Sequence, residues 1–223
     1  QVLDDKELVG GNGLIEMATF LAILLGTLLG SSLIRIEGDG HFWVAATAIG
    51  LAVLGLGTAL AMPKAAPVDP ELKINWNPVT ETLRNLKLAH GNRVVFRSLL
   101  GISWMWFFGA VFLSQFPSLA KDVLHGDEQV ASLLLVVFSI GIGAGSLLCE
   151  RLSARHVELG LVPFGSIGLT LFGLDFALAA MALPPVSEVH GISVLLGQAG
   201  IWRILADLLL LGLFGGFFIV PLY

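Results

Sequence analysis

The chain has 223 residues, 56% of them hydrophobic and 13% charged, with a formal net charge of −5 and a mean hydropathy of +0.87. A water-soluble domain carries about a quarter charged residues, so half the usual solubilising charge is missing. That excludes a disordered chain, a nucleic-acid binder with a basic face and an ordinary soluble enzyme. The 27 glycines fit membrane helices, where glycine is more frequent than in soluble ones. The single cysteine, Cys149, cannot form an internal disulfide, so no oxidising compartment is implied. The sequence opens on polar residues without an initiating methionine and stops inside the apolar run Gly215–Tyr223, so the expectation is a piece cut from a longer membrane protein.

A helix needs about 20 largely apolar residues to cross roughly 30 Å of hydrocarbon. Six stretches qualify, at 13–34, 41–62, 98–116, 129–149, 160–183 and 201–223. The first carries Glu16 near its start and the pair Gly26-x-x-x-Gly30, a spacing that lets helix backbones approach closely in lipid. Between the second and third spans lies the longest non-membrane segment, 63–97. It begins with Pro63, Pro67 and Pro70, which hold the chain extended. Asn77-Pro78 then gives an N-cap followed by proline at the first helical position. Val79, Leu83 and Leu86 recur at helical spacing with Arg84, Lys87 and Arg93 interleaved. Two readings stand: an amphipathic helix lying on the inner leaflet, or a solvated connector. The fourth span carries Gly141, Gly143 and Gly145, and the sixth carries Gly212, Gly215 and Gly216, both suited to close packing.

Orientation follows from the placement of lysine and arginine. When segments alternate across the bilayer, nine of the twelve basic residues fall on the side holding residues 1–12 and 63–97, six of them within 63–97 itself. That side is therefore expected to face the cytoplasm.

Ionisable groups inside the spans are the remaining signal, because a charge at the bilayer centre costs about 2.5–3.5 kcal/mol and faces a partner or a water-filled path. Asp175 lies deepest and has no basic residue three or four positions away, so its partner comes from another helix or the acid is protonated. Glu16, near the inner end of its span, reads as an interhelical hydrogen-bonding group. Arg203 and Asp207 are four apart on one helix face and read as a local ion pair at the outer end, with an outer-gate contact as the alternative. No phosphate loop, His-Glu-x-x-His, cysteine pair or Gly-x-Ser-x-Gly occurs, and the five histidines lie at span edges or in loops. No catalytic residue, metal site or cofactor is expected, and no nucleic-acid partner.

Three passages resemble one family. Asp5-Lys6-Glu7-Leu8-Val9-Gly10-Gly11-Asn12-Gly13-Leu14-Ile15-Glu16 is similar to the entry into the fifth helix of major facilitator superfamily transporters of the lysophospholipid-transporter group. Gly145-Ser146-Leu147-Leu148-Cys149-Glu150-Arg151-Leu152-Ser153 resembles that group's junction between helices eight and nine, and Gly215–Tyr223 its tenth helix. The resemblance implies an all-α membrane protein of the major facilitator superfamily fold, with six of twelve helices, five to ten, present. It implies the end of an N-terminal bundle in 1–62, a cytoplasmic inter-bundle linker in 63–97 and the start of a C-terminal bundle in 98–223.

It also implies an inner-gate motif at Gly145, Glu150, Arg151 and Arg155. Gly145 stands five residues before the acid, one more than in the superfamily pattern, and Ser153 stands where glycine is common. Helices seven and ten would line the cavity, with Ser103, Trp104, Trp106, Phe107, Gln115, Asp207 and Gly216 as candidates, while helix nine with Asp175 would be peripheral. The implied activity is alternating-access movement of lysophospholipid from the outer to the inner leaflet of a bacterial inner membrane, with the bilayer, the lipid and the remaining helices as partners. The alternatives are a drug or metabolite exporter of the same superfamily, or the membrane half of a fused acyltransferase and acyl-carrier-protein synthetase acting in phospholipid remodelling.

Overall fold

A computed structural model describes residues 7–62, 75–153, 158–183, 191–198 and 200–223, and the structural statements below concern these. They are helical throughout apart from turns and connections: α1 (Leu8–Leu33), α2 (Gly40–Leu60), α3 (Pro78–Gly91), α4 (Arg93–Ser118), α5 (Glu128–Leu152), α6 (Leu161–Met181), α7 (Ile192–Leu195) and α8 (Ile201–Ile219). Six helices are long and apolar enough to cross a membrane, one for each span expected from the sequence.

Boundaries shift where caps and turns, rather than apolar residues, decide the end of a helix. The third span begins at Arg93 because the Asn92 side chain accepts from the backbone N–H groups of Val94 at 3.0 Å and Val95 at 3.4 Å. It continues through a π turn, Leu119–Val123, that follows Pro117. Proline removes one backbone donor, and a widened turn re-forms the hydrogen-bond pattern with a different spacing. The chain reverses through His125, in a left-handed conformation (φ 47°), to Asp127, whose carboxylate caps α5 at Gln129 and Val130.

The packed centre is a row of four helices in the order α1, α5, α8, α6. Along α1 and α5 the facing positions run in opposite directions, from Gly10 beside Glu150 to Gly143 beside Met17. Along α5 and α8 they run together, with Gly141 against Leu209 and Gly145 against Leu213. Along α8 and α6 they reverse again, with Gly165 against Phe218. In lipid no water is expelled when helices meet, so contact depends on close fit, and small residues supply it. A Cβ on Gly145 would strike the Leu213 carbonyl, and one on Gly216 would lie 2.5 Å from the Ser146 amide nitrogen.

Gly26 and Gly30 differ from this pattern. Despite their spacing, a Cβ at either position meets nothing within 4 Å among the described residues. The pair permits contact without supplying a partner.

α4 lies across α5 and α8 through an aromatic ladder at four-residue spacing. Trp104 stacks on Phe108, Phe108 on Phe112, and Phe112 meets Phe116 edge-on. The ladder continues into Phe138 of α5 and Phe218 of α8. α2 exposes almost its whole surface within this chain, including Ile49, Val53, Leu54 and Leu56.

α3 forms where Asn77-Pro78 placed its start: the Asn77 side chain accepts from Val79 at 3.1 Å and Thr80 at 3.3 Å. Its apolar residues Val79, Leu83 and Leu86 are all exposed. The prolines Pro63, Pro67 and Pro70 fall outside the described residues.

Candidate functional site

A cavity of about 130 Å³ opens between α1 and the group α4, α5 and α8. Phe20 of α1 forms one wall. Met105, Trp106, Gly109, Ala110 and Leu113 of α4 form another, closed by Phe138 and Ile142 of α5 and Gly215 and Ile219 of α8. The lining is almost wholly apolar. Gly109 leaves the space open, because a Cβ there would meet nothing within 4 Å.

A wider cleft of about 780 Å³ lies toward the chain reversals at 34–39 and 124–127, with Ser31, Arg35, Lys121, Asp127 and Glu128 among its lining residues. Arg35 forms a salt bridge to Glu128 at this end, joining the α1–α2 connection to the first turn of α5.

Beside the apolar cavity sits a polar cluster. Glu16, one helical turn before Phe20 on α1, is only 2% exposed. The Tyr223 hydroxyl stands beside its carboxyl group and accepts from the Trp106 indole N–H at 2.9 Å. One carboxyl oxygen of Glu16 has no partner. Tyr223 comes after the 3-10 turn Val220–Leu222 that follows α8, so the neighbour of Glu16 lies outside any helix. Trp106 belongs to both features, because its ring stacks against Phe20 with centroids 6.2 Å apart.

About two turns before Glu16, toward the start of α1, Glu150 lies over Gly10. A Cβ built on Gly10 would approach its carboxyl carbon at 2.8 Å, so glycine is what lets the acid sit there. An acid against the first turn of a helix is favourable, because unpaired N–H groups leave partial positive charge there. Arg151 is exposed and forms no salt bridge among the described residues. Arg155 lies outside the described residues. Gly145 is buried in the seam with α8.

The cavity-lining candidates separate. Trp106 reaches the cavity. Trp104 packs into the aromatic ladder, and Ser103, Phe107 and Gln115 are exposed on other faces of α4. Gly216 faces α5, and its neighbour Gly215 lines the cavity instead, because one residue along a helix turns the side chain by about 100°. Asp207 is buried toward α6, with one oxygen unpartnered.

Arg203 corrects the reading of a local ion pair. Its guanidinium binds Asp175 of α6 through two hydrogen bonds, one of them 2.9 Å from Nε, rather than closing on Asp207. Asp207 stands beside that pair, in side-chain contact with Asp175. The partner that Asp175 required from another helix is Arg203. No group of three or more metal-ligating side chains occurs among the described residues.

The sequence profile of the Major Facilitator Superfamily matches residues 1–223, the whole chain. The chain belongs to the Major Facilitator Superfamily. Among curated proteins, this superfamily member is similar to "Lysophospholipid transporter LplT" of Cronobacter sakazakii, 31% identical over 228 residues covering 100% of this chain and 51% of the relative. It is also similar to the protein of the same name from Escherichia coli O1:K1, 32% identical over 223 residues covering 97% of this chain and 49% of the relative. The chain spans about half the length of the curated relatives it matches. No solved structure matches it. As a superfamily member with six span-length apolar helices, it is an all-α multi-pass membrane protein.

Phe20, Met105, Gly109, Phe138, Ile142 and Tyr223 are not marked as site residues by the sequence, and Gly215 is marked there only for close packing. Tyr223 carried one usable signal: it is the sole tyrosine of the chain.

Proposed function

We propose that this chain is part of a transporter that moves lysophospholipid from the outer to the inner leaflet of a bacterial inner membrane by alternating access. In this reading residues 1–62 end one bundle, 63–97 form the cytoplasmic linker and 98–223 begin the second bundle, corresponding to helices five to ten of twelve. The observation that carries the proposal is the cavity whose walls come from both sides of the basic segment: Phe20 before it, and Met105, Trp106, Phe138 and Gly215 after it. A site between two bundles is where rocking exposes a bound molecule first to one side and then to the other.

The ends of α1 support the same scheme. Toward the linker, Gly10 and Gly13 let α1 close on Glu150 and Ser146; away from it, the wide polar cleft is open. The contact at Gly10 and Gly13 suits a shut inner gate formed by Glu150 and Arg151, to which Arg155 and Gly145 belong. The cargo follows from the names of the relatives and from an apolar cavity beside a polar cluster, which suits an amphiphile.

The test is uptake of fluorescent lysophosphatidylethanolamine into spheroplasts with and without the gene. Deletion abolishes uptake if the proposal holds, and undiminished uptake defeats it. A membrane-embedded acid such as Glu16 also favours a second reading, a proton-coupled exporter of another cargo. In that case an uncoupler collapses transport and deletion leaves lysophospholipid uptake intact.

A further inference from the structure

We propose that Glu16, with Tyr223 and Trp106, forms the headgroup end of an amphiphile site whose alkyl end is the cavity beside Phe20, and that it selects a headgroup carrying an ammonium ion. The inference rests on the transport reading and adds to it a specificity-determining residue.

Glu16 is 2% exposed within a membrane-spanning helix, yet one of its carboxyl oxygens has no hydrogen-bond partner. Buried acceptors are nearly always satisfied, and an orphan at a site that must open calls for a donor brought by something else. The Tyr223 hydroxyl stands beside the carboxyl group, and the Trp106 indole fixes that hydroxyl at 2.9 Å. The carboxyl thus has a fixed polar neighbour while one of its oxygens stays open.

The apolar half of the site adjoins it along the same helix face. Phe20 stands four residues after Glu16, and residues at that spacing are neighbours on a helix. Trp106 joins the two halves, with its N–H in the polar chain and its ring against Phe20 in the cavity wall. At about 130 Å³ the cavity resembles one that holds a benzene-sized guest, so it seats a few methylenes of a chain rather than a whole acyl tail.

The donor chemistry follows. A carboxylate accepts and cannot donate, and an indole face attracts cations. An ammonium group supplies three N–H donors and a positive charge, matching both. A phosphate is repelled, and a glycerol hydroxyl gains a hydrogen bond without the charge. If Glu16 served only to tie α1 to the segment after α8, its loss would affect every cargo alike.

The experiment uses the full-length protein in proteoliposomes and compares uptake of lysophosphatidylethanolamine, which carries an ammonium, with that of lysophosphatidylglycerol, which does not. Glu16→Gln keeps the shape beside Tyr223 but removes the charge. The expected result is a loss of about tenfold in the preference for the ammonium lipid, as removal of one charge-assisted hydrogen bond implies. Equal loss for both lipids, or none for either, overturns the proposal. Wild-type protein that moves neither lipid instead overturns the transport reading beneath it. A second measurement needs no variant: at matched membrane concentration, dodecylammonium inhibits wild-type uptake about tenfold more strongly than dodecanol, and equal potency overturns the proposal.

Discussion

Replacing Gly216 by alanine should force α5 and α8 apart. The new Cβ would lie 2.5 Å from the Ser146 amide nitrogen and 2.7 Å from the Gly145 carbonyl carbon, where ordinary contact begins at 3.4 Å. Both obstacles are backbone atoms of a helix, so no side-chain rotation relieves them, and restoring 3.4 Å requires the seam to open by about 0.9 Å. A gap of that size forfeits a quarter to a half of the dispersion energy of each contact it spans. Overpacking of this kind costs about 1–3 kcal/mol, and the alanine recovers only about 1 kcal/mol through its better helix propensity. The expected net loss is up to about 2 kcal/mol.

Gly173→Ala on α6 is the matched control. Its Cβ meets only the Leu211 side chain, at 3.8 Å, so the propensity gain remains and stability holds or rises. Equilibrium unfolding in mixed detergent and SDS micelles reads both variants. If Gly216→Ala proved as stable as Gly173→Ala, the argument that backbone contact holds this seam together would be refuted.

Further expectations concern charge, capping and topology. Arg203→Ala strands Asp175 and Asp207 side by side, whereas Asp175→Asn leaves Arg203 free to turn to Asp207; detergent thermal stability should fall further for the first, and equal losses would contradict the arrangement. Asn77→Ala removes a cap worth about 1 kcal/mol, so amide exchange at Val79 and Thr80 should speed up about fivefold, and unchanged exchange would show that the cap does not hold α3. Cys149 is fully buried and should resist maleimide in the folded protein, so Lys87→Cys can be labelled selectively; reaction only from inside the cell agrees with the proposed orientation, and reaction only from outside reverses it.

Hydropathy and small-residue clusters made much of this architecture legible. A run of apolar side chains needs no partner to declare itself, so the six spans emerged with the right order and centres. The Asn77-Pro78 start is equally local, a side chain bonding amides two and three residues away. What escaped was whatever depends on a second helix. Gly26-x-x-x-Gly30 and the clusters at Gly141–Gly145 and Gly212–Gly216 look alike as strings, yet only the latter two meet backbone across a seam.

Arg203 was read with Asp207 because four-residue spacing shows partners within one helix, while Asp175, 28 positions away, is brought near only by α6 packing on α8. The site divides in the same way. Glu16 was visible as an acid in an apolar span, but Tyr223 and Phe20 gain meaning only once α1 stands beside α4 and the end of α8. Along α4, sequence marked the aromatic run as a whole; the direction of each ring then left Trp106 at the cavity and Phe107 exposed.

The central claim is that the space between α1 and α4, α5 and α8 lies on the path of a lysophospholipid. Gly109→Leu puts a branched side chain into that space, and nothing lies within 4 Å of the position its Cβ would take. Lysophosphatidylethanolamine movement into proteoliposomes carrying the full-length protein should then fall to background while the protein stays folded. A well-folded Gly109→Leu protein moving the lipid at the parental rate would contradict the account.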